Sequence, residues 1–236
     1  MAQKRGTSHP HVVLCLALLL VVLLKPAVLE AQVDASPLSS KSPAQHYPRV
    51  SGLPSKEIED RVNALLAAAE QQDLADRKEC LAYRLPGIRP GFHEKIKVTY
   101  VSPHILSLDI RYSDFGCKEY QSIDALRPMT VDLTRGELLD WKTFFTDDFL
   151  QFEDHNSPLT QLYIRRAKPS GWCTGVLTGD DTEFDMWLDS RHGLMVQPSL
   201  SRRFAHCADL VSIPFRQLEN AIRDPVVRRE LLPPKQ

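Results

Sequence analysis

No apolar run in this 236-residue chain is long enough to cross a bilayer. The longest, Val12 to Leu24, has 13 residues, against the roughly 20 that a spanning helix needs. No block of lysines and arginines is present, and the formal net charge is −1. Phosphate backbones require clustered cations, so nucleic acid is not an expected partner. The pairs Arg165-Arg166, Arg202-Arg203 and Arg228-Arg229 stand isolated. Also missing are a G-x-S-x-G nucleophile elbow, a P-loop and the H-E-x-x-H or H-x-x-x-H spacing of helical metal ligands. The glycines of "TGVLTGDD" lack the spacing of a phosphate cradle. No internal repeat and no N-x-S/T acceptor occurs, and the latter absence favours a bacterial over a eukaryotic exported protein. These gaps leave no expected cofactor, metal or catalytic residue.

What is there begins with an address. Lys4 and Arg5 precede the apolar run, and small residues follow it in "KPAVLEAQVDAS". This is the layout of a secretory signal peptide, taken here as residues 1–31. Cleavage is expected after Ala31, at the more usual distance from the apolar run, or after Ala35, where Val33 and Ala35 fit the small-residue rule better, so the mature chain should begin between Gln32 and Ser36. The alternative, an uncleaved anchor, draws on Lys25 ending the run, but 13 residues are too few. Cys15 lies near the start of the run rather than after it, which argues against lipidation. Loss of Lys4, Arg5, Lys25 and Glu30 moves the net charge to −3. The expected location is therefore periplasmic or secreted, with no stable membrane span after cleavage.

Residues 32–54 alternate Pro37, Pro43, Pro48 and Pro54 with serines and read as a linker. A single domain over 55–224 should follow, then a short tail, 225–236. Ser55 can cap a helix over "SKEIEDRVNALLAAAEQQ", with Ile58, Val62, Leu65, Leu66 and Ala69 on one face. "KIKVTYV" and "ILSLDIRY" alternate apolar and polar residues across a short turn, the mark of an antiparallel hairpin. "PMTVDLTRGELLDW" repeats the pattern with a turn at Thr134 to Gly136. "TDDFLQFEDH" and "SPLTQLYIRRAK" read as helices, the second capped by Ser157. "EFDMWLDSRHGLMVQPSL" is a second hairpin with Gly193 at its turn. "DLVSIPFRQLENAI" reads as a strand, then a helix entered through Pro214. The fold class is α+β: an antiparallel sheet of hairpins with packed helices, stapled by two disulfides.

The staples rest on Cys80, Cys117, Cys173 and Cys207, an even count in an exported chain. Three pairings are open. Organisation leans toward Cys80 with Cys117 and Cys173 with Cys207, each pair flanking one hairpin. Each such loop is worth roughly 4 kcal/mol in the chain-entropy picture. The competing reading, Cys117 as a nucleophile, needs a neighbouring base and a reduced thiol.

Other chemistry is thin. His93, His104, His155, His192 and His206 are scattered, and His206-Cys207 alone do not make a zinc site. The neighbours Asp147-Asp148 and Asp180-Asp181 point apart and form no dyad, reading instead as a helix start and a turn. Asp109, Asp132 and Asp185 are dispersed carboxylates that a sheet could gather into a hydrolase site, although their alternation with apolar residues places them outward. Trp141, Trp172 and Trp187 could line a carbohydrate surface, but core packing is expected of all three.

The ordered motifs "VTYVSPHILSLDIRYSDFGC", "MTVDLTRGELLDWKTFF" and "MWLDSRHGLMVQPSLSRRFAHCADLVSIPFRQL" give a further indication. Together they resemble a bacterial extracytoplasmic domain of unknown function. Related domains form the sensor part of lysozyme-sensing anti-sigma factors and accompany some polysaccharide deacetylases. The resemblance spans Ile58 to Ile222 and implies an α+β fold and an envelope location. It does not imply an enzyme. The sequence departs from the family in the loop "FGCKEY", where glycine-rich sequence is usual and only Gly116 and Cys117 remain. The expected function is a non-enzymatic envelope domain binding a protein or a cell-wall glycan. The alternative is a small hydrolase of envelope polymers acting through the dispersed carboxylates.

Overall fold

Ser55 opens the first long helix, α1 (Lys56–Ala82), its hydroxyl accepting from the Ile58 amide. The apolar stripe ends near Ala69, yet the helix runs ten residues past the expected Gln72. The reason lies in its buried face. Val62 and Leu66 are followed there by Glu70, Asp73 and Cys80, all buried. Each polar member of the stripe has a partner, so the face stays inward although its chemistry changes. The structure, a computed structural model, describes residues 32–34, 46–83, 86–117, 123–150, 157–179 and 182–232.

The partners of that stripe correct the linker reading. Strand β1 (Gln32–Asp34) pairs antiparallel with β2 (Arg49–Ser51). Tyr47, Val50 and Leu53 are buried in one core with Val62, Leu66, Leu106, Leu108, Ile110 and Val131. The Asn63 side chain bonds both the N–H and the C=O of Val50 (2.9 and 2.8 Å). Tyr47 donates its hydroxyl to Asp73, and Arg49 pairs with Glu70. Residues 46–53 are thus a strap across α1. Three apolar anchors, Tyr47, Val50 and Leu53, carry its burial.

The larger sheet holds β3 (Gly91–Val101), β4 (Ile105–Phe115), β5 (Ile123–Leu126), β6 (Met129–Asp132) and β7 (Glu137–Leu138). The β3–β4 hairpin runs from Gly91 opposite Phe115 to Val101 opposite Leu106. The far edge of β4 is shared by β5, opposite Arg111 to Asp114, and β6, opposite Ile105 to Leu108. Arg127 and Pro128 divide them. Proline cannot donate to the ladder, while the Arg127 amide still bonds Ile110 O at 2.8 Å. One sheet face, with Ile96, Val98, Leu106, Leu108 and Ile110, packs on α1.

The other face departs from simple alternation. Ser107, expected outward, is 0% exposed because a second sheet lies over it. That sheet is β8 (Glu183–Asp189), β9 (Gly193–Ser199) and β10 (Val211–Ile213), all antiparallel with β9 central. The hairpin turn falls at Gly193 as expected (φ 98°). Thr99 donates its hydroxyl to Leu188 O at 2.7 Å. Ser107 Oγ accepts from the Leu188 N–H (3.0 Å) and pairs with the Thr130 hydroxyl (2.8 Å). The Ser190 N–H donates to Thr99 O at 2.9 Å. Three polar links therefore dock the two sheets, and the Ser107–Thr130 bond braces one of them from within the larger sheet.

The far face of the second sheet carries the other core, where Met186, Leu188, Leu194, Val196 and Ile213 meet Leu159, Tyr163 and an aromatic cluster of Phe144, Phe145 and Phe149. Four short helices surround it: α2 (Trp141–Phe144), α3 (Pro158–Ala167), α4 (Gly171–Leu177) and α5 (Pro225–Leu231). Ser157 caps α3 as expected. Helix α5 corrects the tail reading, since Val227 and Leu231 are buried in this core. The helix expected after Pro214 is only a 3₁₀ turn, Phe215–Gln217. The helix expected over 146–155 begins as a 3₁₀ turn, Asp147–Phe149, and its later residues lie outside the described ones.

Ser107→Ala should lower stability by about 1–3 kcal/mol, since it strands the Leu188 N–H and the Thr130 hydroxyl in the interior. Urea unfolding measures this. A change within 0.5 kcal/mol would mean that the sheets do not depend on this bond.

Candidate functional site: a cleft between the sheets

Beyond the hydroxyl junction, toward the start of β3, the larger sheet and Gln197 of the second border an open cleft of about 480 Å³, within the usual range of ligand sites. Strand alternation and register determine its walls. His93 and Lys95 lie opposite Ser113 and Arg111, which in turn lie opposite Asp124 and Leu126. All six line the cleft, with Gln197 of β9 on the facing wall. The Gln197 amide is fixed by donating to Ala208 O at 3.0 Å. Arg111 Nε is fixed by both oxygens of Asp109, at 3.0 and 3.1 Å. The cleft thus offers oriented donors and acceptors with charges of both signs.

The three dispersed carboxylates are not gathered. Asp109 is tied to Arg111. Asp132 lies opposite Ile105, four residues along β4 from Asp109, a distance of about 13 Å. Its Oδ1 accepts from the Thr134 N–H, the Thr134 hydroxyl and the Arg135 N–H, so it builds the turn. Asp185 belongs to the second sheet, cross-strand from Gln197. Burial, and then neighbouring Glu183, raise its pKa above the usual carboxylate range. Glu94 also contributes to the cleft's rim. Burial raises its pKa, Arg77 opposes, and Asp76 and Glu70 add to the rise. Those three neighbours are on α1, which places its carboxyl on the helix side of the sheet.

That helix side holds a charged seam that sequence reasoning missed. Arg127 pairs with Asp73 and lies over the Tyr112 ring at 5.5 Å. Glu70 accepts from Arg49 and His46. Burial, with Glu94 adding and Arg127 opposing, pushes the Tyr47 phenol up to about 12. The seam is closed over by the strap and is structural. Its signal in the sequence was weak, a polar continuation of a helical stripe.

The histidines stay apart. His104 pairs with Glu230 of α5. His192 Nδ1 meets Asp189 Oδ1 at 2.8 Å in the β8–β9 turn. Burial alone would raise the Asp189 pKa, but bonds from the Arg191 and His192 amides outweigh it and hold it low. His155, Asp180 and Asp181 lie outside the described residues. Asp147 opens its 3₁₀ turn and pairs with Arg223 at 2.7 Å.

The tryptophans divide. Trp187 is 1% exposed, and Trp141 packs on Phe144 and Phe145. Trp172 contradicts the core expectation, being 56% exposed. Its neighbours Gly171, Cys173 and Gly175 supply no apolar stripe to draw it inward. Its ring stacks on His206, with centroids 5.1 Å apart and planes within 2°.

No family model and no curated protein matches the chain. Similar solved structures include a member of the DUF3298 family from Bacteroides fragilis, 13% identical, with a TM-score of 0.49, covering 79% of this chain and 86% of that one. Another is a DUF3298 family protein from Pseudomonas aeruginosa PAO1, 10% identical, with a TM-score of 0.49, covering 87% and 94% respectively. Neither supplies a counterpart to the finer likeness to anti-sigma sensors or deacetylase accessory domains.

The cysteines pair within each half. Cys80 bonds Cys117 (Cα atoms 4.5 Å apart), joining the end of α1 to the end of β4. Cys173 bonds Cys207 (5.3 Å), joining α4 to the 3₁₀ segment Arg202–Cys207. Cys117 is therefore a staple and not a thiol nucleophile. Residues 118–122, where the loop departs from the family pattern, lie outside the described residues. Cys173, His206 and Cys207 place their ligand atoms within 4.8 Å of one another, but both sulfurs are spent on the disulfide.

Cys117→Ser should lower stability by a few kcal/mol, because it frees a loop of 37 residues in the unfolded chain. The same variant should make Cys80 reactive toward thiol reagents. Alkylation of Cys117 in the native, unreduced protein would overturn the assignment.

Proposed function

We infer that the chain is an exported, non-enzymatic envelope domain that binds a neutral, hydroxyl-rich cell-wall glycan in the cleft between its sheets. The cleft's lining carries this reading. Hydroxyl groups both donate and accept, and the walls present both roles from Lys95, Arg111, Ser113, Asp124 and Gln197. Asp109 already balances Arg111, and Lys95 and Asp124 add one charge of each sign to the lining, so a polyanion would find little net attraction. A protein partner would be better served by an apolar patch with a polar rim. Export is supported by the signal-like start and by the two disulfides, which persist in oxidising compartments. Among the described residues, no helix is long and apolar enough to cross a membrane.

One observation favours the hydrolase alternative. Asp185 lies beside the cleft with a raised pKa, as a general acid would. Glycosidase chemistry needs a second carboxylate about 5–10 Å away. Asp109, the nearest in the expected set by register with the cleft, is held by Arg111.

Calorimetric titration with N-acetylglucosamine oligomers of about four to six sugars tests the binding reading. Arg111→Ala and Lys95→Ala together should weaken binding at least about tenfold without unfolding the domain, since each removes an exposed hydrogen-bonding charge. Unchanged affinity in the double variant would exclude the cleft. Shortened oligomers appearing over hours, and lost on Asp185→Asn, would replace the binding reading with the hydrolytic one.

A further inference from the structure

Trp172 exposes more than half of its surface, while Trp187 and Trp141 pack inward. Its ring does not wander. His206 lies parallel beneath it, and Phe204 closes in at 5.7 Å. The Cys173–Cys207 disulfide, one residue from each stacked ring, clamps α4 to the 3₁₀ segment that carries both partners. One indole face is therefore covered and the other is held open to solvent.

The surroundings of that open face are cleared. Gly171 precedes the ring and Gly175 lies three residues on, on the same side of the helix. A Cβ built at either position would meet nothing within 4 Å. Ala205, on the partner segment, is exposed and short. A polar group stands nearby: the Arg203 guanidinium, which lies 5.4 Å over Phe204. A flat apolar face one ring wide, bordered by a cationic donor, is a poor core for a protein interface, which needs a contiguous buried patch. It matches a pyranose, whose C–H face is apolar and whose rim carries hydroxyls.

We propose that the Trp172–His206 stack is a second glycan position, taking one pyranose ring on the open face of the indole. It shares the ligand class inferred for the cleft but uses none of its residues. The two positions are close in the chain: Gln197 of the cleft wall holds Ala208, which follows Cys207 directly. A glycan strand leaving the cleft would then be gripped again at the platform.

The test uses the mature chain and acrylamide quenching of its tryptophan fluorescence, in which Trp172, 56% exposed, is the most accessible of the three tryptophans. Oligomers of N-acetylglucosamine, β-1,4-glucan and xylan are the probes. Saturation with at least one should cut the quenching of Trp172 at least twofold. The effect should persist in the Lys95→Ala, Arg111→Ala variant, so failure of the cleft is read separately. Trp172→Phe should keep part of the affinity and Trp172→Ala should lose it. Gly175→Gln should fold at least as stably, since glycine is a poor helix residue and the added side chain meets open space, yet it should abolish the protection. Unchanged quenching with all three glycans overturns the proposal. So does protection that Gly175→Gln leaves intact, or protection that grows with protein concentration in the absence of sugar, which would mark a self-association face.

Discussion

Three buried hydroxyls determine how this molecule is put together. Thr99, Ser107 and Thr130 sit on the face of the larger sheet that the hairpin pattern assigns to solvent; Thr99 and Ser107 bind the backbone of β8 at Leu188, and Thr130 holds the Ser107 hydroxyl. Apolar side chains there would have let the sheets slide. Hydroxyls that must each find a partner in a dry interior set one register. The sheets meet at that junction and border a cleft beyond it, so the cleft's shape follows from the position of the bonds.

The remaining cohesion is divided between two cores and two covalent links. One core joins α1, the strap and the larger sheet, and the other gathers the second sheet and the short helices. Each disulfide secures a peripheral edge: the end of α1 in one case, the 3₁₀ segment Arg202–Cys207 in the other. The same arrangement explains a buried, charged seam in a small domain. Glu70 and Asp73 are tolerated because Arg49, His46, Tyr47 and Arg127 reach them from the strap and from the β5–β6 kink. A single unmatched member would be costly.

Much of this could be read from the residues. Alternation in "ILSLDIRY" gave β4 and its partner, Ser157-Pro158 gave the start of α3, and Gly193 gave the second hairpin's turn. The two halves of the chain leaned toward the disulfide pairing that is found, with two other pairings left open. What escaped did so for physical reasons. The strap's burial comes from Tyr47, Val50 and Leu53, too few and too widely spaced to show a period. The second half of α1 hides its inward face behind acidic residues whose partners are distant in sequence. Ser107 and Thr99 look solvent-facing because a local pattern cannot report a second sheet some 80 residues away. The cleft is composed from four strands of two sheets, and no local motif encodes it. The glycines on either side of Trp172 could have signalled its exposure.

Native-state hydrogen exchange at the sheet junction is the most direct measurement of this account. The amides of Leu188 and Ser190 should exchange only by global unfolding, with the same free energy as Leu106 and Leu108 in β4, because the sheets open together. Exchange of Leu188 and Ser190 at a clearly lower free energy, with β4 still protected, would show the second sheet detaching on its own and would contradict a cleft fixed by the hydroxyl junction.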